Sequence, residues 1–344
     1  MGWTLERDDL AALGTGASLL GGGGGGTPRL MALSAGSAVS WPLSVHDVHD
    51  LDPSTPCVAV GVGGSTMVFG ERLPGSDLFA DAIETIDRWT GTRAAAVCVT
   101  EAGGMNALAP LHVAGDLALV DADLMGRALP DLDQFSILVD DLPGIAIAIS
   151  AWRRGSLLLT DARPADVEHV LRAAFQAAGG WAGIVIGGFT VGDLEEHAIH
   201  GTLARARALG EAWGSHDAIA ARVAAIGARA LALGRVAHVG PDPADVRVRV
   251  IDIAADDGAA VRLVARSEVV ACLVDGAVVA RSPDIVDVVD PQSGAILQVE
   301  EIAAGRSVAV LGLEAPAWWS TRPERLERVL PSHYGLDGLD EVAA

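Results

Sequence analysis

A chain of 344 residues, half of them hydrophobic, can bury a sizeable core as two ordinary domains or one large elaborated one. Its formal net charge of −21 argues against gripping a nucleic acid or an anionic membrane, both of which need clustered basic side chains. Every basic residue is arginine, so a pyridoxal Schiff base, a lysine nucleophile and the phosphate-binding lysine of a P-loop are excluded.

Small-molecule or protein partners are therefore expected, with neither nucleotide nor pyridoxal phosphate as cofactor, and the high apolar fraction suggests a homo-oligomer. Cys57, Cys98 and Cys272 lie far apart in or beside apolar runs with no CxxC pair, which reads as buried free thiols in a reducing cytoplasm. The acidic opening Met1–Leu10 is unlike a signal peptide, and no apolar run reaches the length of a membrane span. A cytoplasmic location is the expectation.

In chain order, Thr4 is expected to cap a short helix that ends before Gly14. Six glycines, Gly21–Gly26, follow Leu19-Leu20, and Pro28 fits the first turn of a helix over Arg29–Ala35. Strands are predicted at Val58–Val62, Ala95–Thr100 and Leu117–Val120, with a helix at Leu78–Trp89 between the first two. Further on come a helix at Pro164–Ala178, a strand at Ile184–Ile186, a long helix from Asp193 to Trp213, and an Ala-rich helix over Asp217–Leu233.

Beyond Gly234 short strand-like pieces take over: Val246–Ile253, Val261–Val270, Ala271–Val279 and Ser307–Leu313, punctuated by Asp-Gly turns. The expected organisation is α/β: an N-terminal domain (1–233) with a mostly parallel sheet, then a smaller β-rich domain (234–344).

Three apolar stretches end in glycine or acid clusters: Val58–Gly64, Ala96–Asn106 and Ala118–Arg127. The carboxyl ends of buried parallel strands are where α/β proteins keep their chemistry. The glycine run, with Gly22, Gly23, Gly24 and Gly25 and the pair Gly103-Gly104, can present backbone N–H groups to a substrate or serve as a sterically required turn. Glu101 suits a general base beside Asn106 as a polarising donor, or both cap the following helix.

Asp121 and Asp123 share one side of an extended segment. Such a pair can hold a divalent ion (zinc or manganese) with His200 as a further ligand, or share a proton. Arg127 can anchor an anionic substrate or clamp those aspartates. His197 and His200 share a helical face but supply only half a zinc site. His46, His49, His112 and His333 read as surface or core residues.

The order of these stretches resembles the S-methyl thiohydantoin desulfurase family, associated with hydantoin metabolism. The resemblance is carried by Gly16–Pro28, Glu101-Ala-Gly-Gly-Met-Asn106, Val120–Pro130, His200-Gly-Thr202, Ser282–Ile285 and Asp290–Gly294, which together span nearly the whole chain. At Arg266-Ser-Glu-Val-Val270 the chain departs from the more polar segment the family leads one to expect.

The resemblance implies an α/β N-terminal part, a smaller β-rich C-terminal part, and hydrolysis of the C–S bond of an S-methylated thiohydantoin to hydantoin and methanethiol. Such chemistry needs a base, for which Glu101, Asp121 and Asp123 are the choices. It also needs donors, for which Asn106, Arg127 and the glycine amides qualify. The alternative function is a non-catalytic ligand-binding or accessory subunit of a hydantoinase-type system.

Overall fold

The computed structural model describes residues 2–71, 78–150 and 155–343, which form two sheets. The first holds β1 (Trp3–Leu5), β2 (Leu43–His46), β3 (Pro56–Gly64), β4 (Ala96–Val99), β5 (Ala118–Asp123), β6 (Ala146–Ser150), β7 (Ser156–Thr160), β8 (Trp181–Thr190) and β9 (Ile199–His200). Its order is β1-β2-β5-β4-β3-β8-β6-β7, with β9 pairing β5. The central neighbours β2, β5, β4 and β3 run parallel, and the flanks β1 and β8-β6-β7 join antiparallel.

Alternation along β3 and β4 sends Val58, Val60, Val97 and Val99 into one apolar core and Cys57, Ala59, Ala96 and Cys98 into another, one on each face. Cys57, Cys98 and Cys272 are buried free thiols, as the apolar runs around them implied. Among the described residues no helix is long and apolar enough to cross a membrane.

The second sheet contains β10 (Arg229–Pro241), β11 (Arg249–Ala255), β12 (Ala260–Ala265), β13 (Val269–Val274), β14 (Ala277–Arg281), β15 (Ile285–Val289), β16 (Ile296–Leu297) and β17 (Ser307–Leu313). It is antiparallel throughout, in the order β14-β13-β12-β11-β10-β17-β15-β16, and curls so that β13 comes against β15.

Three expectations change. Thr4 lies in β1, and Gly14 sits inside the helix Leu10–Leu19 rather than beyond its end. That helix crosses Thr202–Gly214 at close range: a Cβ at Gly16 would lie 2.5 Å from the carbonyl carbon of Ala206, and one at Gly210 would lie 2.6 Å from that of Ala12. Small residues are needed there for packing.

The long helix expected from Asp193 is divided into Val191–His197 and Thr202–Gly214 by β9, which pairs with the end of β5. The Ala-rich segment is helical only over Ile219–Ala225. From Arg229 it becomes β10, paired with β17 on one side and β11 on the other, so ladder hydrogen bonds override alanine's helix preference.

After β17 the chain returns to the first sheet. Trp319 is wholly buried there and donates its indole N–H to the Met125 carbonyl at 2.9 Å. Trp319→Ala is expected to cost about 3–5 kcal/mol through cavity formation and the lost bond, measured by urea unfolding. A loss below about 1 kcal/mol would show that this tail does not hold the core closed.

Candidate functional site

The glycine run is a tightly held loop. Gly24 N–H donates to the Gly21 carbonyl within it. The carbonyls of Gly22, Gly23 and Gly25 accept from the N–H groups of Val269 (2.9 Å), Val299 (2.8 Å) and Met105 (2.9 Å). The loop therefore ties the segment after β4 to two segments of the second sheet. Gly104 lies at φ +68°, and a Cβ there would stand 2.6 Å from Gly25 Cα, so the two glycine stretches pack backbone to backbone.

Beside this junction opens a cleft of about 280 Å3, lined by Gly24–Gly26, the end of β3, Glu101, Asn106 and Glu268, with Met105, Leu129 and Phe135 as apolar wall. Glu101 follows the carboxyl end of β4 and keeps a partly exposed face in the cleft. Burial pushes its carboxyl well above the usual carboxylate range, and the neighbouring Glu268 and Asp123 push it further.

Asn106 is anchored: its Oδ1 accepts from Val62 N–H (2.7 Å) and its Nδ2 donates to the Val62 carbonyl (3.1 Å). Its amide also favours the charged form of Glu101, so it holds both the strand end and the carboxylate.

Glu268, in the turn between β12 and β13, belongs to the segment Arg266–Val270 that departs from the family pattern and is not among the site residues expected from the sequence. It is only 3% exposed, yet it lines the same cleft. Ser267 Oγ donates to its Oε2 at 2.6 Å. Its carboxyl is also raised, by burial, with Ser267 and then Arg127 pulling the other way. The available signal was a Ser-Glu pair interrupting two apolar strands.

The other acids expected in the site have structural partners. Asp121 accepts from the Trp3 indole (2.9 Å) and from the N–H groups of Leu203 (2.7 Å) and Ala204 (3.2 Å), fixing the start of the helix Thr202–Gly214. Asp123 closes the turn after β5 by accepting from Met125 and Gly126, and burial raises it to about 6. Neither lines the cleft.

Arg127 is wholly buried and donates to the carbonyls of Ala128 (2.7 Å), Pro283 (3.2 Å) and Asp284 (2.6 Å). It joins the two sheets and does not line the cleft. Gly24 and Gly25 line the cleft; Gly22, Gly23, Gly103 and Gly104 lie behind that surface.

Asp121, Asp123 and His200 do not converge as a ligand set: His200 is exposed and its Nε2 contacts the Leu194 carbonyl at 2.8 Å. Among the described residues the group whose ligand atoms do converge is Asp131, Asp133 and His333. Arg266 (3.1 Å) and Arg328 (2.7 Å) already neutralise those two carboxylates. That cation-rich setting is poorly suited to a metal ion.

His197 serves a different cluster. Its Nδ1 lies 2.7 Å from Asp140, which also receives the Arg325 guanidinium. Burial alone would raise Asp140, but hydrogen bonds from Arg325 and His197 more than offset it and hold the carboxyl below its usual value. A depressed carboxylate contributes stability above its unfolded pKa and loses it as pH falls through the folded one. Asp140→Asn is therefore expected to lower the melting temperature most above about pH 5 and to converge with the parent in acid. Parallel melting curves across that range would contradict the assignment.

Two family models account for almost the whole chain: S-Me-THD-like, N-terminal domain, over residues 8–161, and S-Me-THD-like, C-terminal domain, over residues 162–342. The chain belongs to the S-Me-THD-like family. An X-ray structure of a protein from Chromobacterium violaceum has the same fold as this family member, with a TM-score of 0.81 and 20% identity over 99% of each chain. Comparison with curated proteins gives no match. The two models meet at residues 161/162, so the C-terminal model takes in β8 and β9 of the first sheet together with the whole curled antiparallel sheet.

Proposed function

We propose that this protein is a hydrolase of a small hydantoin-like ring, converting an S-methyl thiohydantoin to hydantoin and methanethiol. The observation that carries the reading is the presence of Glu101 and Glu268 in one glycine-walled cleft, with surroundings that oppose ionisation of both. Two carboxyls of this kind divide into an acid and a base. Hydrolysis at an sp² ring carbon needs one of each: water must lose a proton on attack and the sulfur must gain one on departure.

The apolar wall formed by Met105, Leu129 and Phe135 suits a flat ring bearing an S-methyl group. Because the acids of β5, Asp121 and Asp123, are bound to backbone and indole donors, the mechanism assigns them no part in activating water.

The test is release of methanethiol from S-methyl thiohydantoin by purified protein, followed with a thiol reagent. Release is expected, and prior chelation with EDTA is expected to change its rate by less than about twofold, since protein carboxyls supply the proton transfers. Ligand binding without any thiol release would describe a binding subunit instead. Chelator-sensitive release would return the water to a metal ion.

A further inference from the structure

The two carboxyls differ in their neighbours, and the difference assigns their work. We propose that Glu268, carried by the second sheet, is the base that draws a proton from the attacking water, and that Glu101 is the acid that protonates the departing sulfur. This rests on the hydrolase reading above.

Glu268 is held rigidly. The turn that bears it is closed by Arg266 N–H donating to the Glu268 carbonyl (3.0 Å), and the next N–H, of Val269, donates to Gly22 (2.9 Å). Its carboxyl lies against Gly24, where a Cβ would stand 2.5 Å from Cδ. Behind the same loop the Arg127 guanidinium presses on Gly22, where a Cβ would be 2.6 Å from Nη2, and that nitrogen has no hydrogen-bond partner among the described residues.

A buried cation thus stands across two glycines from Glu268 and favours its charged form, as does the Ser267 hydroxyl; Asp131 acts in the opposite sense. Around Glu101 the charged neighbours are Glu268 and Asp123, both acidic, and with burial they outweigh the hydrogen bonds from the Leu129 N–H and the Asn106 amide that favour its charged form. The negative charge therefore belongs on Glu268 and the proton on Glu101.

The electrons balance. Water oxygen bonds to the ring carbon as Glu268 takes one of its protons, and the C=N pair moves to the ring nitrogen. The new hydroxyl gives its proton to that nitrogen, leaving an oxyanion; C=O forms as the C–S bond breaks, and the C–S pair, protonated by Glu101, leaves as methanethiol. One proton passing from Glu268 to Glu101 restores the starting state.

Varying the leaving group tests the division. Turnover of S-methyl and S-(4-nitrophenyl) thiohydantoins is compared in the parent, Glu101→Gln and Glu268→Gln, with thermal midpoints confirming that both variants fold. Glu101→Gln is expected to slow the S-methyl compound by about 100-fold and the nitrophenyl compound, whose thiolate leaves without a proton, by far less. Glu268→Gln is expected to slow both by about 100-fold, because attack by water is common to both.

The reverse pattern, or equal losses on both compounds in Glu101→Gln, overturns the assignment while parent turnover preserves the hydrolase reading. A parent that releases neither thiol removes the reading and the assignment together.

Discussion

Gly24→Ala is expected to reduce turnover by about 100-fold or more, although one methyl group is the whole change. The added Cβ would stand 2.5 Å from both Cγ and Cδ of Glu268, and nearer still to Oε1. The Glu268 side chain can relieve the clash only by leaving its observed place: it is tethered by Ser267 and carried on a turn bonded to the glycine loop. Overpacking of this kind costs about 1–3 kcal/mol of stability, while a carboxyl misplaced by about 1 Å loses its reacting geometry.

Gly70→Ala is the matched control. Among the described residues a Cβ there meets nothing within 4 Å, on the exposed face of the helix Thr66–Glu71, so it is expected to be neutral or slightly stabilising. The measurement is kcat for thiol release together with urea unfolding of both variants. Full turnover in Gly24→Ala would show that Glu268 need not occupy its observed place.

Arg127→Met is expected to be the most destabilising of the polar substitutions, by about 3–5 kcal/mol. Three carbonyls lose their donor at once, two of them on the far sheet, and Asp287 loses its countercharge. Asp287 is itself wholly buried, its carboxyl pushed well up by burial, with Arg127 the charge that opposes the shift.

A double-mutant cycle with Asp287→Asn separates these contributions. The double variant is expected to be less destabilised than the sum of the singles, because the uncompensated carboxyl is gone. Where the Arg127 variant folds, KM is expected to stay within about threefold while kcat falls, because the side chain does not line the cleft but favours the charge on Glu268. A large rise in KM with kcat unchanged would restore Arg127 as a substrate anchor.

Local sequence marks out more residues than line the candidate cleft, for a definite reason. Continuous apolar runs locate β3, β4 and β5, and the rule that chemistry gathers at strand ends leads to Glu101 and the glycine loop. The same rule also selects Asp121, Asp123 and Arg127, which have equal local credentials. What separates them is partners remote in sequence: Trp3 and Leu203 for Asp121, and Pro283 and Asp284 for Arg127.

Glu268 fails to stand out because its importance arises only when the second sheet folds onto the glycines. The Ala-rich stretch before Gly234 is a related case, since pairing of Arg229–Leu233 with β17 outweighs local propensity.

The glycine loop also has a consequence for assembly. Its bonds join residues near the start of the chain to Val269 and Val299, so the loop is completed only after most of the polypeptide has been synthesised. Contacts of such long sequence separation are slow to close. A nascent or proteolytically shortened chain would thus be chemically silent even with its first sheet in place. After dilution from denaturant, turnover should return later than secondary structure, making activity a report on the last step of folding.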